Sequence, residues 1–229
     1  MKNPFTLTER NFDVINWGGV AVELNLSFDN ILMMLQMFDD SSIREKQKPH
    51  IALQMLIVEA TLIPQLDISR RLELLRVIFM AKLGVDLDGD TKNTQNKSEQ
   101  SDNYNADETT PDYPIVDYSI DAERIYASFL MDYSIDLIEE QGKLKWSQFQ
   151  ALFNNLSDNT PMKIAIKYRV CAIPERTKDN KEEVKDIRKK KLFYELPKAK
   201  EMREAHEYEA YKRNMDIKRK RIMEMQARQ

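Results

Sequence analysis

Apolar positions along the chain alternate at first and then settle into helical stripes. Phe12 and Val14, then Val20, Val22, Leu24 and Leu26, alternate with less apolar neighbours, and Gly18-Gly19 separates the two runs. Paired glycines supply the positive φ angles of a tight reversal, so this stretch predicts a β-hairpin. A phosphate-binding loop would need a glycine-lysine-serine continuation, which does not follow. Ser27 is placed to cap a helix reaching about Phe38, with Asp29 in the first turn favouring its dipole. Phe28, Ile31, Leu32, Leu35 and Phe38 form one face, which Met33, Met34 and Met37 widen. A second helix is predicted from Pro49, a residue tolerated in a first turn, through Val58. Pro64 marks a break. A third helix spans Ile68 to Leu83, with Leu72, Leu75, Val77, Ile78 and Phe79 as its contacts and Gly84 as its stop.

Between Val85 and Pro114 the stripes vanish. Eight acidic residues, two lysines and almost no aliphatic side chains leave too little to bury against the entropy of ordering. This segment reads as a disordered acidic linker or a long surface loop. Asp86, Asp88 and Asp90 imitate the start of a calcium loop, but Thr91 stands at the glycine position and Lys97 at the bidentate glutamate. Periodicity resumes at Ile115. A helix from about Ser119 to Tyr133 carries Ile125, Tyr126, Phe129, Leu130 and Tyr133, and Asp132–Leu137 forms a connection. Another, roughly Lys143 to Leu156, presents Leu144, Trp146, Phe149, Leu152, Phe153 and Leu156. Ser157 or Asp158 with Thr160-Pro161 caps a further helix that carries Ile164, Ile166 and Val170 and stops at Pro174. From Pro197, Met202, Ala205, Tyr208, Tyr211, Met215, Ile222 and Met225 recur at spacings of three, four or seven, interrupted by Lys218. A continuous helix there would extend about 45 Å.

The pattern thus predicts a mainly α protein: a helical bundle with a small N-terminal β-hairpin, a disordered acidic linker and a long charged C-terminal helix. Its parts are 1–84, the hairpin plus helices; 85–114, the linker; 115–174, an aromatic-rich helical part packing with the first; and 175–229, a charged tail. Charge sharpens the division. The 229 residues carry 35 Lys and Arg against 38 Asp and Glu, a net of −3. From Arg176 onward there are 18 basic and 11 acidic residues, +7, which leaves −10 for the rest. One cysteine, two histidines and five glycines supply little for a disulfide framework, a metal site or phosphate loops, so no cofactor is expected. The most apolar segment, Ile51 to Ile63, is short and contains Glu59, which argues against a membrane span.

Catalytic material is scarce. Asp117 with Asp121 and Asp132 with Asp136 stand four apart, but each pair straddles a predicted helix end, where aspartates cap free amides. Cys171 lies in an apolar context and reads as an inert thiol; His50 and His206 have no evident partner. A non-catalytic protein is the expectation. Two surfaces remain. The tail clusters Lys185, Arg188, Lys189, Lys190 and Lys191, then Lys218, Arg219, Lys220 and Arg221, which could meet phosphates but alternate with glutamates as a solvated helix would. Twelve methionines could form an adaptable groove for apolar helices or simply fill a core.

The stretches DYSIDAERIYASFLMDYSIDL (Asp117 to Leu137) and LKWSQFQALFNNLSDNTPMKIAIKYR (Leu144 to Arg169) resemble the bacteriophage gene-product-fifteen family of Gram-positive phages. Asp121, Ile125, Tyr126, Phe129, Tyr133, Ile135, Asp136 and Leu137 match its aspartate-then-aromatic helix and the turn after it. Trp146, Phe149, Leu152, Phe153 and Leu156 match its tryptophan-led helix, with Thr160 and Arg169 on the next. Lys145-Trp146 stands where the family tends to have Trp-Trp, and Ser134 where it has a turn glycine. The resemblance, spanning about 12 to 173, implies a tail-assembly chaperone encoded beside the tape-measure protein. Such a protein would hold that long helical client, or other tail-assembly proteins, in the host cytoplasm and be absent from the mature virion. The residues placed to contact the client are Met202, Tyr208, Tyr211, Met215, Ile222 and Met225, or the methionine-rich face. The same tail helix would also allow self-association. A structural tail or connector component is the alternative, and a nucleic-acid-binding regulator using the basic tail is the least favoured.

Overall fold

The computed structural model describes residues 13–85 and 113–226, apart from the side chains at 60–62, 221–222 and 224–226. Phe12 and residues 86–112 of the linker, with Asp86, Asp88 and Asp90, lie outside the described residues. Among the described residues two strands, β1 (Val14–Trp17) and β2 (Val20–Glu23), precede eight α-helices: α1 (Phe28–Asp39), α2 (Lys48–Leu56), α3 (Ile68–Ile78), α4 (Ala122–Tyr133), α5 (Trp146–Asn154), α6 (Pro161–Val170), α7 (Lys181–Tyr194) and α8 (Pro197–Gln226). The protein is mainly helical with one antiparallel hairpin, as the pattern predicts. The described residues fall into two compact units, 13–85 with 121–163, and 113–120 with 164–226.

In the first unit, Gly18 and Gly19 take φ of 59° and 84°, which makes the two-residue reversal. That turn pairs Trp17 with Val20 and so sets Ile15 opposite Val22, both buried, while Val14 faces outward beside Glu23. The inward residue of β1 is therefore Ile15 rather than Val14, because turn length fixes register. Beyond β2, Leu24 bridges to Ile57, and the Val58 N–H donates to the Glu23 carbonyl at 3.1 Å. This pairing stops α2 at Leu56, two residues short of the prediction. The helix itself begins at Lys48, whose buried ammonium donates to the Phe38 carbonyl (2.7 Å) at the end of α1. In α1 the centre of the buried face is Ile31, Met34 and Met37; Leu32, Leu35 and Phe38 are its half-buried margin and Met33 is exposed. Asn30, also buried, donates to the carbonyls of Asn25 (2.9 Å) and Met55 (2.8 Å), which ties α1 to α2.

Asp67 caps α3, accepting from the Arg70 N–H at 2.8 Å. The α-helix ends at Ile78 and a single wider turn, Phe79–Leu83, leads to Gly84 at φ 67°. Leu74 takes the buried place assigned to Val77, which is exposed, because it shares a face with Leu75 and Ile78.

Residues 144–146 run extended beside 26–28. The Phe28 N–H donates to the Leu144 carbonyl (2.9 Å) and the Trp146 N–H to the Leu26 carbonyl (2.8 Å). That pairing delays α5 to Trp146, three residues later than its apolar pattern suggests. Phe149, 1% exposed, then becomes the hub of the core. Its ring stacks on Phe28 and Phe129, both at 5.1 Å between centroids, on Trp146 at 5.5 Å and on Phe153 at 6.0 Å. Of the stripe assigned to α4, Ile125 and Phe129 are buried, Tyr126 and Tyr133 half-buried and Leu130 exposed, and Ser128 is buried beside them.

In the second unit Arg169 on α6 joins three segments. Its guanidinium donates to the carbonyls of Tyr194 (2.6 Å) and Ile115 (2.8 Å). The Lys191 ammonium donates to the carbonyls of Cys171 (2.7 Å) and Arg169 (3.1 Å), where α6 gives out. Tyr168 stacks on Tyr194 at 5.7 Å, and Lys190 lies over the Tyr168 ring. Along α6, Met162 in the first unit and Ala165 in the second are buried, whereas Ile164 and Ile166 are half-buried and Val170 is exposed.

Candidate partner-docking surface on helix α8

Pro197 opens α8 in the position where a missing N–H costs nothing, and Ala, Glu, Lys, Arg and Met sustain it. Its 30 residues correspond to about 45 Å of helix. The root is fastened. Leu196 and Ala199 are buried, and Arg203 grips both oxygens of Glu195 (2.7 and 3.1 Å) and Glu207 at 2.9 Å. Those hydrogen bonds, to Glu195 first and Glu207 next, raise the Arg203 pKa above its ordinary value. The His206 ring meets Tyr113 edge-on at 6.1 Å.

Past this root the helix has no core of its own. From Glu204 onward every described side chain is exposed except Met215, which is half-buried. Tyr208 is 69% and Tyr211 63% exposed, uncommon values for large aromatic side chains. Tyr208, Tyr211 and Met215 follow one heptad line, and sequence positions 218, 222 and 225 continue it. Met202, half-buried nearer the root, stands about 120° around the helix from Tyr208. The side chains of Ile222 and Met225 lie outside the described residues.

Among the described residues the methionines are spread over buried, half-buried and exposed places. Met34, Met37 and Met162 fill cores, whereas Met33, Met80, Met131 and Met223 are exposed. The motif residues are structural in geometry. Trp146, Phe149, Phe153 and Phe129 make the aromatic stack, and Tyr133 packs edge-on against Phe129 at 5.9 Å while its hydroxyl donates to the Leu152 carbonyl at 3.0 Å.

Each of the four aspartates that suggested paired carboxylates has a definite engagement. Asp117 accepts from the N–H groups of Ser119 (2.9 Å) and Ile120 (3.0 Å). Asp121, fully buried, pairs with Arg124 at 3.0 Å. Asp132 accepts from the Ser157 N–H (2.6 Å) and hydroxyl (2.7 Å). Asp136 accepts from the Ile138 N–H (2.9 Å) and the Tyr126 hydroxyl (3.0 Å). The Ile138 amide, then the Tyr126 hydroxyl, hold the Asp136 carboxyl below the usual range, and the shared bond raises the Tyr126 phenol. Burial pushes the Tyr118 phenol up to about 12.

Sequence periodicity missed the buried polar links. The Ser128 hydroxyl accepts the Met162 N–H at 3.0 Å and donates to the Arg124 carbonyl at 2.6 Å, joining α4 to the start of α6. Only a serine on an apolar helix face hinted at this. Among the described residues, no cluster of three or more His, Cys, Asp or Glu could hold a metal ion, and no helix is long and apolar enough to cross a membrane.

No curated protein and no solved structure matches the chain. A family model does, described as Bacteriophage Gp15 protein and matching residues 8–196. The match takes in the hairpin, the aromatic stack and the Arg169 junction, and it ends at Leu196, one residue before α8 begins. On that match across most of its length, the chain belongs to the bacteriophage Gp15 family.

Proposed function

We propose that this phage protein is a non-catalytic tail-assembly chaperone that binds the tape-measure protein and keeps it in solution until the tail tube assembles. The observation that supports the reading is α8: a helix fastened only at its root, with Tyr208, Tyr211 and Met215 on one open line. An exposed heptad line favours packing against another helix, and a long helical client offers many. The packed first unit fits the part of a stable carrier. On this reading the protein acts in the host cytoplasm and leaves before the virion matures.

Co-expression of the full chain with a tape-measure fragment tests it. Wild type should move the fragment into the soluble fraction, and Tyr208→Glu/Met215→Glu should not. Equal client solubility with both proteins would defeat the α8 version. Mass spectrometry of purified virions separates the chaperone from a structural tail component, since a stoichiometric amount of the protein in the particle supports the latter.

A further inference from the structure

The charges along α8 narrow what can lie on its open line. Between positions 211 and 221 the helix carries six Lys or Arg and one Asp. Lys212 and Arg219 flank the Tyr208–Tyr211–Met215 line at adjoining heptad positions, and Lys218 lies within it. Among the described residues, Lys212, Lys218 and Lys220 have no carboxylate within ion-pair distance, and Arg219 reaches Asp216 only at 3.9 Å. Nearer the root Glu207 pairs with Arg203 at 2.9 Å, while Glu204 lies 3.9 Å from Lys200, as far as Asp216 lies from Arg219. Between 211 and 220 the described side chains therefore give the apolar line a net cationic margin.

A second copy of the chain suits this margin badly. Parallel pairing sets Lys218 against Lys218. Antiparallel pairing in register sets position 208 against 225 and 215 against 218, which lays 212–221 alongside itself. Paired through their distal halves, two copies bring like charges together in both of these registers. A phosphate backbone has the right sign but would use the cations and leave the line between them uncovered.

We propose that the α8 line takes a partner helix of opposite charge: an amphipathic helix whose heptad apolar stripe is flanked by Glu or Asp. Its apolar side chains cover Tyr208, Tyr211 and Met215. Its carboxylates meet Lys212, Lys218 and Arg219. This deepens the reading of α8 as the client-docking element by fixing the sign of the client segment.

The test uses the full chain and two synthetic three-heptad peptides with identical apolar stripes, one flanked by Glu and the other by Lys. At low salt the acidic peptide should bind at least about tenfold more tightly. Added sodium chloride should shrink that ratio. Tyr208→Glu/Met215→Glu should abolish binding with an unchanged thermal midpoint, and Lys212→Glu/Lys218→Glu/Arg219→Glu should invert the preference. Equal binding of both peptides, binding of neither, or no inversion would overturn the proposal. So would tighter binding of an oligothymidylate, or a homodimer in sedimentation that Met215→Glu dissolves. The client reading fails separately: a tape-measure fragment still solubilised by wild type and not by Tyr208→Glu/Met215→Glu keeps that reading even when charge selection is absent.

Discussion

Two aromatic sets in this chain meet opposite fates. Phe28, Phe129, Trp146, Phe149 and Phe153 stack on one another in the first unit, whereas Tyr208 and Tyr211 stand in the open on α8. Both sets follow helical spacing. What separates them is the company each helix keeps. α5 has its apolar face met by α1 and α4, and the extended pairing of 26–28 with 144–146 holds that face in place. α8 bears a narrow line on a polar rod, and only its root is fastened. One set holds a fold together, and the other is free to hold something else.

The comparison breaks most visibly at the hub. Phe149→Ala should cost the first unit about 3–5 kcal/mol, the range for emptying a fully packed aromatic site. Chemical denaturation would read it as a large drop in midpoint. A drop no larger than that of a surface substitution would mean the stack is not the core of this unit.

The buried polar links come next. Ser128→Ala removes the acceptor for the Met162 N–H in a site with no solvent access, at a cost of about 1–3 kcal/mol. Ser128→Thr keeps the hydroxyl, and recovery by that variant would separate the hydrogen bond from packing.

Such links mark the limit of what the sequence discloses. Stripes at helical spacing showed α1 to α6 and α8, and alternation with the paired glycines showed the hairpin; α7, which buries only Val184, has no stripe and was not foreseen. The stripes did not show which residue of a broad stripe is central, because Met34 and Leu35 differ in burial only once α2 and α5 are in place. Nor did they show the helix ends at Leu56 and Trp146, where a neighbouring extended segment competes for the backbone. The α8 line was legible because nothing in the fold alters it. The Ser128 and Asn30 bonds were not, since each depends on a backbone atom more than twenty residues away.

Smaller effects sharpen the contrast between fastened and open segments. Ser134 ends α4 at φ 54° where a glycine would carry no Cβ penalty, so Ser134→Gly should stabilise by up to about 1 kcal/mol. An unchanged or lower denaturation midpoint would count against strain at this turn. Asp136, two residues on, gives a pH signature. Its folded pKa lies below the ordinary carboxyl value of 3.8, so its contribution is present above that value and lost as pH falls through the folded one. The gap in urea midpoint between wild type and Asp136→Asn should therefore be widest near neutrality and close in acid. A gap that persists unchanged in acid would assign the effect to something other than the carboxylate.

The smallest effect on stability is expected where the effect on binding is largest. Tyr208 and Tyr211 surrender little burial when truncated, and alanine is the better helix former by about half a kcal/mol at each site. Tyr208→Ala/Tyr211→Ala should accordingly leave the denaturation midpoint within about 0.5 kcal/mol of wild type or raise it slightly. Client solubilisation should nonetheless fall, because two large anchors of the helix-docking line are gone. A clear destabilisation by this pair would place the tyrosines in the protein's own packing and erase the distinction between the two aromatic sets. Unchanged stability with unchanged client binding would move the docking surface off α8 altogether.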